Sequence, residues 1–149
     1  MKIALVGSSG GHLKQLLLLR SWWSEHDRFW VTFRKLDAVS TLKNERVYWC
    51  YYPTNRNITN LARNSLLAWR ILWAERPNLI ISTGAATAVP FFYLAKLFRA
   101  KTVYLEVYDR IDSPTLTGRL VYPVTDKFLV QWREQQAFYP KAVLVGELL

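Results

Sequence analysis

The alternation of apolar and polar positions divides the chain into short β-branched and aromatic runs separated by longer stretches with helical spacing. Lys2–Val6 is almost continuously apolar, the pattern of a strand buried on both faces. Arg28–Phe33, Val47–Tyr51, Leu79–Ser82, Thr102–Val107, Lys127–Gln131 and Val143–Val145 read as further strands. Helical spacing covers residues 11–23, 36–43, 58–75, 85–99 and 115–122, with a short piece at 133–138. Such alternation predicts an α/β fold, a Rossmann-like doubly wound parallel sheet. No repeat, low-complexity tract or linker interrupts it, so residues 1–149 are expected to form a single domain.

In folds of this kind ligands bind beyond the carboxyl ends of the strands, so the residues after each strand are the first candidates for chemistry. "GSSGGH" follows the first strand, "STGA" (82–85) the fourth and "EVYDRID" (106–112) the fifth. Gly7, Gly10 and Gly11 permit close approach of another molecule, and a helix starting near Gly11 would aim free N–H groups at an anion. Ser8 and Ser9 add hydroxyl donors. A tight strand-to-helix turn also favours these residues for its own sake. The dinucleotide fingerprint fits poorly, since Ser9 stands at its second glycine and the second strand ends in "FRK" rather than an acid. Arg34 and Lys35 keep an NADP-binding reading open. His12 would sit on the first helical turn, where an imidazole can accept a proton from a hydroxyl nucleophile near neutral pH, or simply cap the turn.

Composition narrows the classes. With 51% apolar residues the chain is not disordered, and the single cysteine, Cys50, excludes a disulfide framework. Cys50 and two histidines, His12 and His26, are too few for most zinc sites, so neither a metal nor a cofactor is expected. The formal charge of +9 and seven tryptophans call for an anionic partner: nucleic acid, lipid or a phosphorylated substrate. No nucleic-acid recognition motif is present, so a basic nucleic-acid module is the weaker alternative. The start "MKIALVGSSGGH" does not read as a signal peptide, and the apolar stretch 84–95 is too short to span a bilayer. On a helical wheel of residues 58–75, Ile58, Leu61, Ala62, Trp69, Leu72 and Trp73 share the face expected to pack on the sheet. Arg63, Leu67, Arg70 and Ile71 then lie opposite, as candidates for contact with an anionic membrane surface, unless the leucines are ordinary core.

"GSSGGHLKQ", "LIISTGAATAVP", "VYLEVYDRIDSPTLTGRLVYPVTDKFLVQW" and "AVLVGELL", in that order, resemble the acceptor-side subunit of split MurG-like glycosyltransferases. That group includes bacterial polysaccharide proteins of the PssD and CpsF type and the membrane-recruiting subunit of the dolichol-linked N-acetylglucosamine transferase. The resemblance implies the N-terminal half of a GT-B enzyme, with the UDP-sugar half on a separate polypeptide. It implies a metal-independent inverting transfer to a sugar on a polyprenyl diphosphate, carried out peripherally at the cytoplasmic face of a membrane by the two chains together. By the family pattern His12 is the candidate base, and Ser8, Ser9, Gly10 and Gly11 line the acceptor side. Ser8-Ser9 replaces the first glycine pair of MurG-type loops. Glu106 would orient His12 or bind an acceptor hydroxyl, or else be satisfied by Arg110 or Arg119. Ser82, Thr83 and Gly84 would shape the cleft or contact the acceptor diphosphate. Glu147, Leu148 and Leu149 would dock the partner.

Overall fold

In the computed structural model, which describes residues 1–148, seven strands lie parallel in one sheet of order β3-β2-β1-β4-β5-β6-β7. They are β1 (Lys2–Val6), β2 (Asp27–Phe33), β3 (Val47–Cys50), β4 (Leu79–Ser82), β5 (Lys101–Leu105), β6 (Lys127–Val130) and β7 (Val143–Leu144). The helices are α1 (Gly11–Leu17), α2 (Arg20–Trp23), α3 (Leu36–Thr41), α4 (Ile58–Glu75), α5 (Ala88–Leu94) and α6 (Leu116–Val121). The predicted Rossmann-like sheet is present, and its order reverses between β1 and β4, which opens a crevice at their carboxyl ends.

Period-two alternation divides the core. Ile3, Leu5, Trp30 and Ile81 pack with Leu13, Leu16, Trp23, Ala38 and Leu42 on the face covered by α1, α2 and α3. Ala4, Val6, Phe29, Val31, Ile80 and Tyr104 face the opposite layer, with α4 and α5 supplying Ala68, Ile71, Leu72, Phe91 and Phe92. The helix predicted over 11–23 breaks into α1 and α2. The Leu16 carbonyl there accepts from both the Leu19 amide at 3.1 Å and the Trp23 indole at 2.8 Å.

Helix α4 is bounded as its sequence requires. The Asn57 side chain caps its start by accepting from the Asn60 amide, and Arg76 ends it in a left-handed conformation ahead of Pro77. Its orientation, however, corrects the wheel. Asn60, Asn64, Ala68, Ile71 and Leu72 are buried, while Ile58, Leu61, Trp69 and Trp73 are exposed. Ile71 is a core residue and so not a membrane contact, while Leu67 is half-buried against the core. Arg63 and Arg70 do face solvent. The reason is polar. Asn64 pairs with both backbone groups of Tyr51, accepting from its N–H at 2.8 Å and donating to its carbonyl at 3.0 Å. Asn60 donates to the Pro53 carbonyl at 2.8 Å. Satisfying the chain after β3 decides which face turns inward.

Trp69, Trp73 and Leu97 share one outer surface, where Trp69 and Trp73 meet Phe98 edge-on and Arg76 lies 4.6 Å over the Trp73 ring. No helix among the described residues is long and apolar enough to cross a membrane.

Because the amide of Asn64 substitutes for a strand partner, Asn64→Leu should destabilise the fold by about 1–3 kcal/mol despite adding apolar surface. Urea unfolding measures this directly.

Candidate functional site

The glycine turn after β1 is held by its own backbone, the Gly7 amide donating to the Val31 carbonyl at 3.0 Å. Gly10 then takes a positive φ of 77° to start α1. His12, on the first turn, faces the turn after β4 across the crevice. Its Nδ1 lies 2.8 Å from the Thr83 carbonyl, and the Thr83 hydroxyl donates to the His12 carbonyl at 2.7 Å. A carbonyl only accepts, so the neutral ring carries its proton on Nδ1 and leaves Nε2 bare. Burial lowers the His12 pKa below its ordinary 6.5, opposed by the Thr83 carbonyl and by the negative charges of Asp109 and Glu106. The ring is therefore neutral at pH 7, as a general base requires.

Gly84 makes that fit possible. Its φ is 136°, and a methyl group there would stand 2.5 Å from His12 Cε1 and 2.8 Å from Nδ1. The hydroxyls of the same turn are already engaged. Thr83 is spent on His12, and the Ser82 hydroxyl accepts from the Gly84 amide at 3.1 Å, both side chains being fully buried. Ser82 and Thr83 thus lie buried beneath the cleft, the placement of residues that shape it. The Gly10 amide is likewise taken, since it donates to Asp37 Oδ2 at 2.7 Å. A carboxylate stands where an anion was expected, which weighs against both phosphate and dinucleotide at this turn. Ser8 lines the main cleft, Gly11 lines the smaller pocket beside His12, and Ser9 is half-buried with its carbonyl accepting from the Ser8 hydroxyl at 3.2 Å.

Glu106 departs furthest from expectation. It neither orients His12, which Thr83 does, nor meets an arginine. Its carboxylate is fully buried and accepts from the Tyr139 hydroxyl at 2.5 Å, the Thr115 hydroxyl at 2.9 Å, the Thr115 amide at 3.2 Å and the Val107 amide at 3.1 Å. Thr115 in turn caps α6 by accepting from the Gly118 amide at 2.9 Å. A methyl group on Gly118 would come within 2.5 Å of both Glu106 and Tyr139. Glu106 anchors the loop from Val107 to Thr115. Gln135 holds the same loop by donating to the Val107 and Arg110 carbonyls at 3.0 and 2.9 Å.

Above these supports lies a cleft of about 630 Å³ lined by His12, Arg56, Tyr104, Arg110, Thr115 and neighbours. A smaller pocket of about 300 Å³, between Gly11, Gln15 and Tyr108–Arg110, adjoins it at His12. Arg56 and Tyr104 escaped the motif reading, and Arg110 entered it only as a possible partner of Glu106. Arg56 follows the carboxyl end of β3, a position the strand-end rule covers but where no glycine draws the eye. Cys50 is buried away from the cleft lining, and burial pushes its thiol up to about 12. Among the described residues no group of three or more His, Cys, Asp or Glu side chains comes together to hold a metal ion. At the far end of the chain the Leu148 amide donates to Gln131 at 3.2 Å and Glu147 is exposed. Leu149 lies outside the described residues.

A doubly wound sheet with a histidine at the switch point and an open cleft has the form of the N-terminal half of a GT-B glycosyltransferase. It overlays on MurG of Acinetobacter baumannii with a TM-score of 0.74 at 14% identity, covering 89% of this chain and 42% of that one. It also overlays on the UDP-N-acetylglucosamine 2-epimerase of Rickettsia bellii with a TM-score of 0.77 at 10% identity, covering 99% of this chain and 45% of that one. Residues 53–148 match the family described as oligosaccharide biosynthesis protein Alg14 like, and the chain belongs to that family. Its relatives named UDP-N-acetylglucosamine transferase subunit ALG14 include that of Schizosaccharomyces pombe, 36% identical over 117 residues, covering 75% of this chain and 55% of the relative. The one from Kluyveromyces lactis is 34% identical over 100 residues, covering 62% and 42%. The human one is 23% identical over 180 aligned positions, covering 100% and 83%. The chain spans about half the length of the yeast relatives it matches.

The lowered His12 pKa has a sign that can be tested. As pH falls, the unfolded chain takes up its histidine proton first, so the stability contributed by neutral His12 is complete above about pH 6.5. It is lost as pH drops through the folded value. NMR titration of the ring should give a midpoint below 6.5, and His12→Gln should lose less stability than wild type between about pH 7 and pH 5.

Proposed function

We propose that this chain forms the acceptor-side wall of a two-chain glycosyltransferase, closed by a partner that carries a UDP-sugar. The relatives' description as transferase subunits supports a divided enzyme, and their donor makes UDP-N-acetylglucosamine the first sugar to try. The acceptor is a sugar linked to a polyprenyl diphosphate, seated in the cleft with one hydroxyl at Nε2 of His12. The observation that carries this reading is the clasp between His12 and Thr83, which leaves a neutral, unprotonated nitrogen at the cleft.

The chemistry is a displacement with inversion. Nε2 takes the hydroxyl proton as the acceptor oxygen bonds to the anomeric carbon. The bond from that carbon to the UDP oxygen breaks, and UDP leaves with the electron pair. The resulting imidazolium is stabilised by the Thr83 carbonyl on Nδ1 and by the nearby charges of Asp109 and Glu106. Gly84 and Thr83 position the ring, and Glu106 acts through the loop it anchors.

His12→Ala, in the co-purified complex, should lower kcat by about 10²–10⁴-fold with the chain still folded and the partner still bound. Unchanged turnover would remove His12 from the mechanism.

The surface formed by α4 and the turn after α5 supports attachment to an anionic bilayer. Exposed Trp69, Trp73 and Leu97 lie with Arg76 on this surface, and Arg70 and Arg99 are exposed on the same two elements, a mixture suited to the headgroup layer. Each cation near an anionic leaflet contributes about 1 kcal/mol. The chain should co-sediment with phosphatidylglycerol vesicles, less so at high salt, and Trp73→Ser with Leu97→Ser should weaken binding. Equal affinity for phosphatidylcholine vesicles would contradict the electrostatic part.

A further inference from the structure

The cleft beside His12 has an electrostatic character that the glycine turn lacks. Two arginines, Arg56 from the loop after β3 and Arg110 from the loop after β5, line the same cavity from different elements. Neither forms an ion pair with an acidic side chain among the described residues, so both charges are available to a ligand. Arg56 is moreover held at a φ of 50°, in the left-handed region. Arg76 and Arg99 share that conformation, but each closes a helix, where it is a routine termination. Arg56 closes nothing. It precedes the Asn57 cap by one residue, in a conformation that glycine adopts more readily.

A second observation points into the same space. Tyr104 is fully buried, and its hydroxyl, at the cleft floor behind Gly84 and His12, has no hydrogen-bond partner within 3.5 Å. It lies 3.2 Å from where a Gly84 methyl group would stand, next to the imidazole edge. Burial and the charge of Glu106 push its pKa up, against a smaller opposing effect of the nearby Thr115 hydroxyl, so it stays neutral. A buried hydroxyl without a close partner, lining the same cavity as two arginines free of ion pairs, is the arrangement a ligand rich in anionic oxygens would complete.

We propose that Arg56 and Arg110 are the two arms of a clamp for a diphosphate group, which enters the cleft between the loops after β3 and β5 rather than the glycine turn after β1. Asp37 on the Gly10 amide keeps anions from that turn, so negative charge is drawn across the crevice to the arginines. On the proposed function the ligand is the diphosphate of the lipid-linked acceptor, and the clamp sets how far its sugar reaches toward His12. Asp109 beside Arg110 lines the adjoining pocket and leaves the main cleft cationic.

The test is calorimetric titration of the full chain with inorganic pyrophosphate, which needs neither partner nor turnover. Arg56→Gly with Arg110→Ala should weaken binding at least tenfold. Arg56→Gly also relieves the left-handed backbone, so the melting temperature should hold or rise and misfolding cannot account for the loss. Lys43→Ala with Lys101→Ala removes the same charge near the amino ends of the strands and should bind as wild type. No binding by wild type, retained binding in the arginine variant, or equal loss in both variants would each overturn the clamp. In the co-purified complex the arginine variant should raise KM for a farnesyl-diphosphate-linked N-acetylglucosamine at least tenfold and leave KM for the UDP-sugar unchanged. Pyrophosphate binding that depends on the arginines, in a complex that transfers no sugar, would sink the glycosyltransferase reading while leaving the clamp standing.

Discussion

The site rests on a reciprocal clasp across the point where the sheet reverses. His12 and Thr83 exchange hydrogen bonds between the turn after β1 and the turn after β4, two segments 71 residues apart. One pair of contacts fixes the tautomer, the ring orientation and the width of the crevice together. It is possible only because Gly84 leaves the imidazole room, and because β1 and β4 are adjacent in the sheet with Val6 opposite Ser82. Without adjacency at that register, neither turn has a partner.

Behind the clasp stands a second support, built around a buried carboxylate. Glu106 joins the end of β5, the cap of α6 and Tyr139, and so holds a loop that would otherwise be free. Gln131 extends the support, donating to Gln15 of α1 at 2.9 Å and to the Glu106 carbonyl at 3.0 Å. The helix carrying the histidine and the loop carrying Arg110 are thereby braced by the same interior. A buried charge with several donors costs less than an isolated one, and removing any donor returns part of that cost.

The outer surface follows the same logic of polar satisfaction. Buried asparagines, rather than the largest apolar residues, choose the inward face of α4, and this displaces Trp69 and Trp73 to the outside. Tryptophans that a wheel assigns to the core therefore meet solvent beside arginines. A helical wheel weighs hydrophobicity and not the needs of a neighbouring backbone, so it cannot anticipate this reversal.

Much was legible from residues alone. Short β-branched and aromatic runs marked all seven strands, most plainly β1, whose cover on both faces leaves almost no polar position to blur it. The strand-end rule and the glycine pattern brought His12, Gly84 and the neighbouring turns into view, because tight turns restrict residue choice locally. The roles within the site were decided only in three dimensions. Glu106 became an anchor, Ser82 and Thr83 turned inward, and Arg56, Tyr104 and Arg110 converged on one cavity. Pattern and propensity act over a few residues, whereas hydrogen-bond partners and cavity walls come from segments tens of residues apart. Only the packed sheet decides which of them meet.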